Sequence, residues 1–168
     1  NKPLKDISFG IVLLHLFEYP FAEAAFQRAE AIDPNFAMAY WGEAMVHNHP
    51  VWDQQAPDKA LAALNKFAPT PGARAGKIAS AKERDYFESL EILYGPAAGR
   101  APKAERDHAY RLFMEKMAER YPDDHEVRLF HALAIMGDHA GVRDIPDYME
   151  STALARSVCA AHRGPPGP

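Results

Sequence analysis

The spacing of small, aromatic and proline residues between positions 22 and 34 constrains the fold more than any other feature. Ala22, Phe26, Ala29 and Pro34 follow the pattern A-x3-F-x2-A-x4-P. The two alanines lie about two helical turns apart, so they let a second helix approach closely, and the phenylalanine fills the space between the helices. Proline disrupts a helix because it lacks the backbone N–H. The pattern therefore predicts a helix that packs against a neighbour and ends before Pro34.

Helical patterns continue along the rest of the chain. Apolar residues recur at three- and four-residue steps, which is typical of helices packed against a core. Ser80 and Glu83 have the spacing of a capping box, and Gly95 and Gly137 are expected to end helices with a positive φ. We predict eight helices, at residues 5–18, 21–32, 35–48, 57–67, 80–94, 102–120, 124–136 and 146–161. No stretch alternates regularly enough to predict a strand.

The length of the chain suits a single domain. With 168 residues it is long enough to bury a substantial core. Two stretches rich in Pro, Gly and Ala, residues 68–79 and 95–102, are expected to connect helices inside that domain. We therefore predict one helical domain over residues 1–163 and a disordered tail over residues 164–168.

Charge and hydropathy exclude two classes of partner. The net charge is -4, from 19 basic and 23 acidic residues, and neither sign forms a long block. This predicts no nucleic-acid-binding surface. The apolar run ISFGIVLLHLF (residues 7–17) is shorter than a membrane span. Lys2 and Lys5 precede it, but no small-residue cleavage site follows, so we predict no signal peptide.

The cysteine content excludes two kinds of structural site. Cys159 is the only cysteine, so the chain cannot form an internal disulfide or a cysteine-based zinc cluster. It stands between Val158 and Ala160, which predicts a buried thiol.

The pattern at residues 22–34 recurs further along the chain. Gly10 maps onto Ala44, which is also small, at a step of about 34 residues, a length typical of paired-helix repeats. The second helix recurs as Ala60, Leu64 and Phe67, which keep the relative spacing of Ala22, Phe26 and Ala29. This second copy stands about one helical turn later than the same step predicts, so a turn is inserted before it.

The two copies of this pattern, taken together with their spacing, resemble the tetratricopeptide (TPR) repeat, a helix pair that recurs about every 34 residues. The resemblance is good over residues 6–67 and weaker over residues 80–161. It implies an all-α, right-handed superhelix of about four antiparallel helix pairs. Its concave groove would bind a protein or peptide. An enzyme is the less favoured interpretation.

A longer stretch is similar to a group of bacterial TPR proteins. The sequence LLHLFEYPFAEAAFQRAEAIDPNFAMAYWGEAM carries this likeness, together with HPVW and RYPDD further on. It implies a soluble protein of the bacterial cytoplasm or periplasm. The ending CAAHRGPPGP differs from the continuation of such proteins, which implies a truncated N-terminal portion.

Five residues are predicted to line the peptide-binding groove. Met38, Trp41 and Met45 share one helical stripe, and an aromatic and thioether surface suits apolar peptide side chains. His15 and His49 are separated by the same step as Gly10 and Ala44, so the register predicts equivalent positions on neighbouring helices. For Trp41, packing between repeats is an equally weighted alternative.

The histidines also support a second hypothesis. His15, His47 and His49, together with nearby carboxylates, would suit Zn, Cu or Fe, since neutral imidazole is a good ligand for these ions. The spacing H-E-x-x-H does not occur, and hydrogen bonding within the groove is the alternative for these histidines. No cofactor is predicted under the peptide-binding hypothesis. A third hypothesis is a homo-oligomer that forms through exposed repeat ends.

Overall fold

The computed structural model describes residues 2–96, 98–138 and 144–162. The α-helices are α1 (Lys2–His15), α2 (Tyr19–Ile32), α3 (Ala37–Met45), α4 (Pro57–Phe67), α5 (Pro71–Lys77), α6 (Ala81–Tyr94), α7 (Lys103–Arg120), α8 (His125–Asp138) and α9 (Ile145–His162). Two short strands, β1 (Asn48–His49) and β2 (Gln54–Gln55), pair with each other, and 3-10 helices lie at Pro50–Trp52 and Ala98–Arg100. The prediction of an all-α chain is confirmed, whereas the prediction of no strand is wrong, since β1 and β2 are too short to show an alternating pattern. The tail predicted at residues 164–168 lies outside the described residues.

The chain forms two compact units. Unit 1 contains Asn1–Asn48 and Gln55–Ala101, and unit 2 contains His49–Gln54 and Pro102–Pro168. One domain over residues 1–163 stays a prediction. Among the described helices, none is both long enough and apolar enough to cross a lipid bilayer.

Helices α1 and α3 of unit 1 pack against Phe26 of α2. Its side chain is fully buried, and glycines on α1 and α3 lie against its ring. A Cβ atom built on Gly10 would lie 2.8 Å from Cε1 of Phe26, and one built on Gly42 would lie closer still. Gly10 of α1 and Gly42 of α3 therefore contact the same ring.

Helix α5 lies in a stretch that we predict as a loop. Thr70 caps its N-terminus, because Oγ1 of Thr70 accepts a hydrogen bond from the N–H of Ala73 at 3.2 Å. Pro71 occupies the first turn, where its missing N–H costs nothing. The buried guanidinium of Arg74 donates to Glu91 of α6 at 2.7 Å and to the carbonyl of Ala68 at 2.8 Å, which fixes α5 against its neighbours.

Two glycines at the ends of helices are required by close contacts with neighbouring atoms and not by a positive φ. Gly95 caps α6 with a φ of -64°, and a Cβ atom there would lie 2.5 Å from the carbonyl oxygen of Glu91. Gly137 lies inside α8, where a Cβ atom would lie 2.9 Å from Cβ of Pro50. The predicted positive φ is therefore wrong at both positions, since steric contact explains the glycines.

In unit 2, α8 packs against both α7 and α9. Its core contains the buried side chains of Tyr110, Met114, Met117, Val127, Phe130 and Ile135. The hydroxyl of Ser151 on α9 donates to the carbonyl of Ala132 on α8 at 2.9 Å. Cys159 is exposed on α9, so the prediction of a buried thiol is wrong. Val158, its neighbour in sequence, takes the buried position instead.

Candidate functional site

Helix α3 carries three of the residues predicted to bind a peptide. Trp41 and Met45 are only 1% and 3% exposed, whereas Met38 is partly exposed. The indole N–H of Trp41 donates to the carbonyl of Tyr86 on α6 at 3.0 Å, and the two rings meet edge-on with centroids 5.0 Å apart. Trp41 is therefore part of the packing between α3 and α6, and burial leaves Trp41 and Met45 no surface for a peptide.

The three histidines predicted to bind a metal lie in different elements. His15 is the last residue of α1, and His47 follows α3 with its Nε2 atom 3.8 Å from Oε1 of Glu23. His49 lies in β1 because α3 ends at Met45, so it does not occupy the helical position that the register predicts. Within the part of the chain that the structure describes, no three His, Cys, Asp or Glu side chains are grouped to hold a metal ion.

A polar cluster that we did not predict joins three helices of unit 1. It consists of Gln27 and Glu30 on α2, Glu43 on α3 and Lys66 on α4. Glu43 is 3% exposed, and it accepts hydrogen bonds from Gln27 at 2.8 Å and from Lys66 at 2.6 Å. Nζ of Lys66 also lies 3.6 Å from Oε2 of Glu30. The cluster therefore places two carboxyl groups and one ammonium group between α2, α3 and α4.

The pKa values of the two carboxyl groups in the polar cluster are shifted in opposite directions. The pKa of Glu30 is raised to about 8, chiefly by burial and by the hydrogen bond with Glu43 and the charge of Glu43, while Lys66 opposes the increase. Burial would also raise the pKa of Glu43, but hydrogen bonds from Lys66, Gln27 and Glu30 outweigh it and lower that pKa. The raised pKa of Glu30 favours its neutral form and the lowered pKa of Glu43 favours its ionised form, so the pair favours a single shared proton at neutral pH. This arrangement suits a structural link between helices.

Helix α1 has apolar side chains on two opposite faces. Ile7, Gly10 and Leu14 are buried, whereas Phe9, Val12 and Leu16 are 53%, 54% and 63% exposed. With about 100° between successive residues, these two sets lie on opposite sides of the helix. Leu16 extends α1 by one residue, since its N–H still donates to the carbonyl of Val12 at 3.0 Å. We call Phe9, Val12 and Leu16 the α1 stripe.

The turn after α1 adds exposed aromatic surface beside the stripe. Phe17 has a φ of 62°, and the N–H groups of Phe17 and Glu18 donate to the carbonyls of Leu14 and Leu13 at 3.1 and 2.9 Å. This is a Schellman turn, in which glycine is usual at the position of Phe17 because a side chain there costs about 1–2 kcal/mol. Phe17 is 37% exposed, and Phe21, at the start of α2, is 65% exposed. Large apolar side chains therefore continue past the C-terminal end of the stripe.

Unit 2 contains an open cavity of about 250 Å³ lined by charged residues. Nζ of Lys103 donates to Asp107 at 2.6 Å and also pairs with Asp53. Asp138 accepts a hydrogen bond from Arg111 at 3.3 Å. Burial lowers the pKa of Lys103, but the hydrogen bonds to Asp107 and Asp53 outweigh it and raise that pKa. Lys103 is therefore held as a cation by its neighbours, which disfavours a role as a nucleophile.

Comparison with known proteins gives no match: no family model, no curated protein and no solved structure matches this chain. The resemblance to TPR repeats therefore stands on the sequence register alone. Among the described residues, the α1 stripe is one feature that indicates a partner, because apolar side chains grouped on one helix face are typical of protein-binding surfaces.

The sequence contains a signal for the stripe but none for the polar cluster. In ISFGIVLLHLF, apolar residues occupy every side of the helix, which is typical of a helix that is covered on both faces. We use this run only to exclude a membrane span. Glu30, Glu43 and Lys66 are widely separated in sequence, and their meeting depends on how three helices pack.

Proposed function

We propose that this chain is a TPR-like protein-binding scaffold whose contact surface is the α1 stripe. The observation that carries the proposal is the exposure of Phe9, Val12 and Leu16, each by more than half, on one face of a helix. Folded chains rarely expose contiguous apolar surface of this kind except where they bind another molecule. The finer proposal of a right-handed superhelix of about four antiparallel helix pairs is based on the resemblance of the sequence spacing to TPR repeats, and the packing of Gly10 and Gly42 against Phe26 supports only the close approach of α1, α2 and α3.

The spacing of the stripe indicates the chemistry of the partner. Residues 9, 12 and 16 follow the steps of three and four that form the seam of a two-helix coiled coil. The best-fitting partner segment is therefore an amphipathic helix whose own apolar residues recur at the same steps. Charged peptides without an apolar face would gain nothing from this surface.

The size of the stripe indicates a weak complex. Burying a large apolar side chain completely contributes about 1.5–3 kcal/mol, so each half-exposed side chain has about 1 kcal/mol left to contribute. With Phe17 and Phe21 included, the total is about 5 kcal/mol before the cost of lost translational and rotational freedom is subtracted, so the Kd is expected to be about 0.2 mM or weaker. The scaffold would therefore bind reversibly, with further affinity supplied by neighbouring copies or repeats.

A designed amphipathic helix tests the proposal. The probe is a peptide with leucine at the seam positions and with Glu and Lys elsewhere, titrated against the chain by fluorescence anisotropy. We expect a Kd between about 0.2 and 1 mM for the wild type and at least tenfold weaker binding to Phe9→Asp/Leu16→Asp. Leu112→Asp/Met149→Asp is the matched control, since it places the same charges on exposed apolar positions of α7 and α9.

Two results would overturn the proposal. One is the absence of binding to the wild type at a peptide concentration of about 1 mM, where even a Kd of that order gives half saturation. The other is an equal loss of affinity in the control and in the stripe variant. Circular dichroism of each variant must show unchanged helicity, since every substituted side chain is exposed and its replacement leaves the core intact.

A further inference from the structure

We infer that the partner of the α1 stripe is the α1 stripe of a second copy of this chain, packed antiparallel across a two-fold axis. The inference rests on the proposed function, because it names the partner of the same surface. The stripe is bounded by opposite charges: Lys5 stands one turn before Phe9 on the same face, and Glu18 follows Leu16 and Phe17 at the other end. Both charged residues are exposed.

The positions of these charges select the antiparallel arrangement. Measured from the midpoint between Phe9 and Val12, Lys5 lies about 8 Å along the helix axis and Glu18 at most about 11 Å in the other direction. A two-fold axis through this midpoint places Lys5 within side-chain reach of Glu18 of the second copy, and it does so twice. A parallel pair would instead bring Lys5 beside Lys5 and Glu18 beside Glu18, where like charges repel.

The same axis also pairs the apolar side chains. It places Phe9 against Val12 of the second copy, and the reverse, and it places Leu16 against the methylene stem of Lys5 of the second copy, whose ammonium group can still extend to Glu18. Apolar burial therefore supplies the attraction, and the charges at the two ends fix the direction.

The dimer is expected to be weak. α1 has 14 residues, so it is about 21 Å long, and one helix face offers far less than the ~800 Å² per partner that stable complexes bury. Sedimentation equilibrium between about 10 µM and 1 mM should therefore show a mass that rises from 18.7 kDa towards twice that value.

Charge exchange is the decisive experiment. Lys5→Glu and Glu18→Lys should each weaken the dimer about tenfold, because each creates two repulsive contacts. The double variant Lys5→Glu/Glu18→Lys should restore the wild-type Kd, since the contacts regain opposite charges. Lys59→Glu, an exposed lysine on α4, is the charge-matched control and should dimerise like the wild type. Phe9→Asp/Leu16→Asp should remain a monomer.

The outcomes separate the inference from the proposed function. A wild-type chain that stays at 18.7 kDa up to about 1 mM overturns the inference, while binding of the designed peptide would leave the proposed function standing. A dimer that persists in Phe9→Asp/Leu16→Asp places the interface elsewhere and also overturns it. If the double charge exchange fails to restore the dimer, the antiparallel arrangement is wrong.

Discussion

The carboxylate of Glu43 accepts two hydrogen bonds from the ammonium group of Lys66, at 2.5 and 2.6 Å, although Glu43 is only 3% exposed. The pair links α3 to α4, and the neutral carboxyl group of Glu30 adds α2 to the same contact. A buried carboxylate is costly unless it is paired, so this contact couples the packing of the three helices to one charge balance.

Replacing Lys66 by methionine should destabilise the chain by about 1–3 kcal/mol, because it leaves Glu43 ionised and without its cation. The side chain of Lys66 is 46% exposed, so water screens part of the interaction and keeps the loss below that of a fully buried pair. Urea denaturation followed by circular dichroism measures the change. Lys59→Met on the same helix is the control, and a loss of equal size in both variants would assign the effect to helix α4 rather than to the ion pair.

Replacing Glu30 by glutamine should remove a pH dependence of stability. The pKa of Glu30 is raised from 4.5 to about 8 in the folded chain. Between these two pH values, folding is therefore accompanied by the uptake of a proton. The stabilisation is therefore complete below about pH 4.5 and is lost as the pH rises towards 8. Glutamine keeps a neutral hydrogen-bonding group, so the difference in free energy of unfolding between Glu30→Gln and wild type should increase in favour of the variant from pH 5 to pH 8.5.

Glu88→Gln, an exposed carboxylate on α6, is the control for that experiment. Its difference from wild type should stay much smaller over the same range. If the Glu30→Gln difference is the same at both pH values, Glu30 does not hold a proton in the folded chain. The lowered pKa of Glu43 affects stability in the acidic range instead, since the stabilisation that it provides is lost only as the pH falls below 4.5.

Some parts of the structure follow from local sequence signals, and others depend on tertiary packing. Helix α4 spans the predicted residues 57–67, because Pro57 marks its start and its apolar residues recur regularly. Helix α5 was missed because its cap, Thr70, lies in a stretch whose Pro and Gly content favours a loop. Trp41 could not be assigned, since its burial depends on Tyr86, which is distant in sequence and belongs to α6.

The buried histidine of unit 2 should give a pH dependence of the opposite sign. Burial lowers the pKa of His131 below 6.5, and Glu150 and Glu115 oppose this only in part. His131 is 6% exposed, and its Nδ1 atom has no hydrogen-bond partner among the described residues. Its neutral form therefore stabilises the fold above pH 6.5, and this contribution is lost as the pH falls.

Replacing His131 by leucine removes a side chain that binds a proton more readily in the unfolded chain than in the folded chain. We expect the difference in free energy of unfolding between His131→Leu and wild type to change in favour of the variant as the pH falls from 7.5 to 5. Urea denaturation at the two values measures this change. An identical difference at both pH values would mean that His131 is as easily protonated in the folded chain as in the unfolded one.

The two glycines against Phe26 should respond unequally to alanine. An added Cβ atom overlaps the ring at both positions, and the overlap is deeper at Gly42 than at Gly10, where it lies 2.8 Å from the ring. Overpacking costs about 1–3 kcal/mol, and the better helix propensity of alanine offsets about 1 kcal/mol of it. We expect Gly42→Ala to destabilise by about 2 kcal/mol and Gly10→Ala by less. Gly76→Ala in α5 should stabilise slightly, since nothing lies within 4 Å of its added Cβ atom.

A double-mutant cycle tests whether Phe26 causes the loss at Gly42. Phe26→Leu removes ring atoms that the new methyl group would meet, so it should cost less in the Gly42→Ala background than in the wild type. Thermal and urea denaturation of the four chains give the coupling free energy. If the two substitutions add without coupling, the ring does not determine the need for glycine, and the close packing of α3 on α2 must be maintained by other contacts.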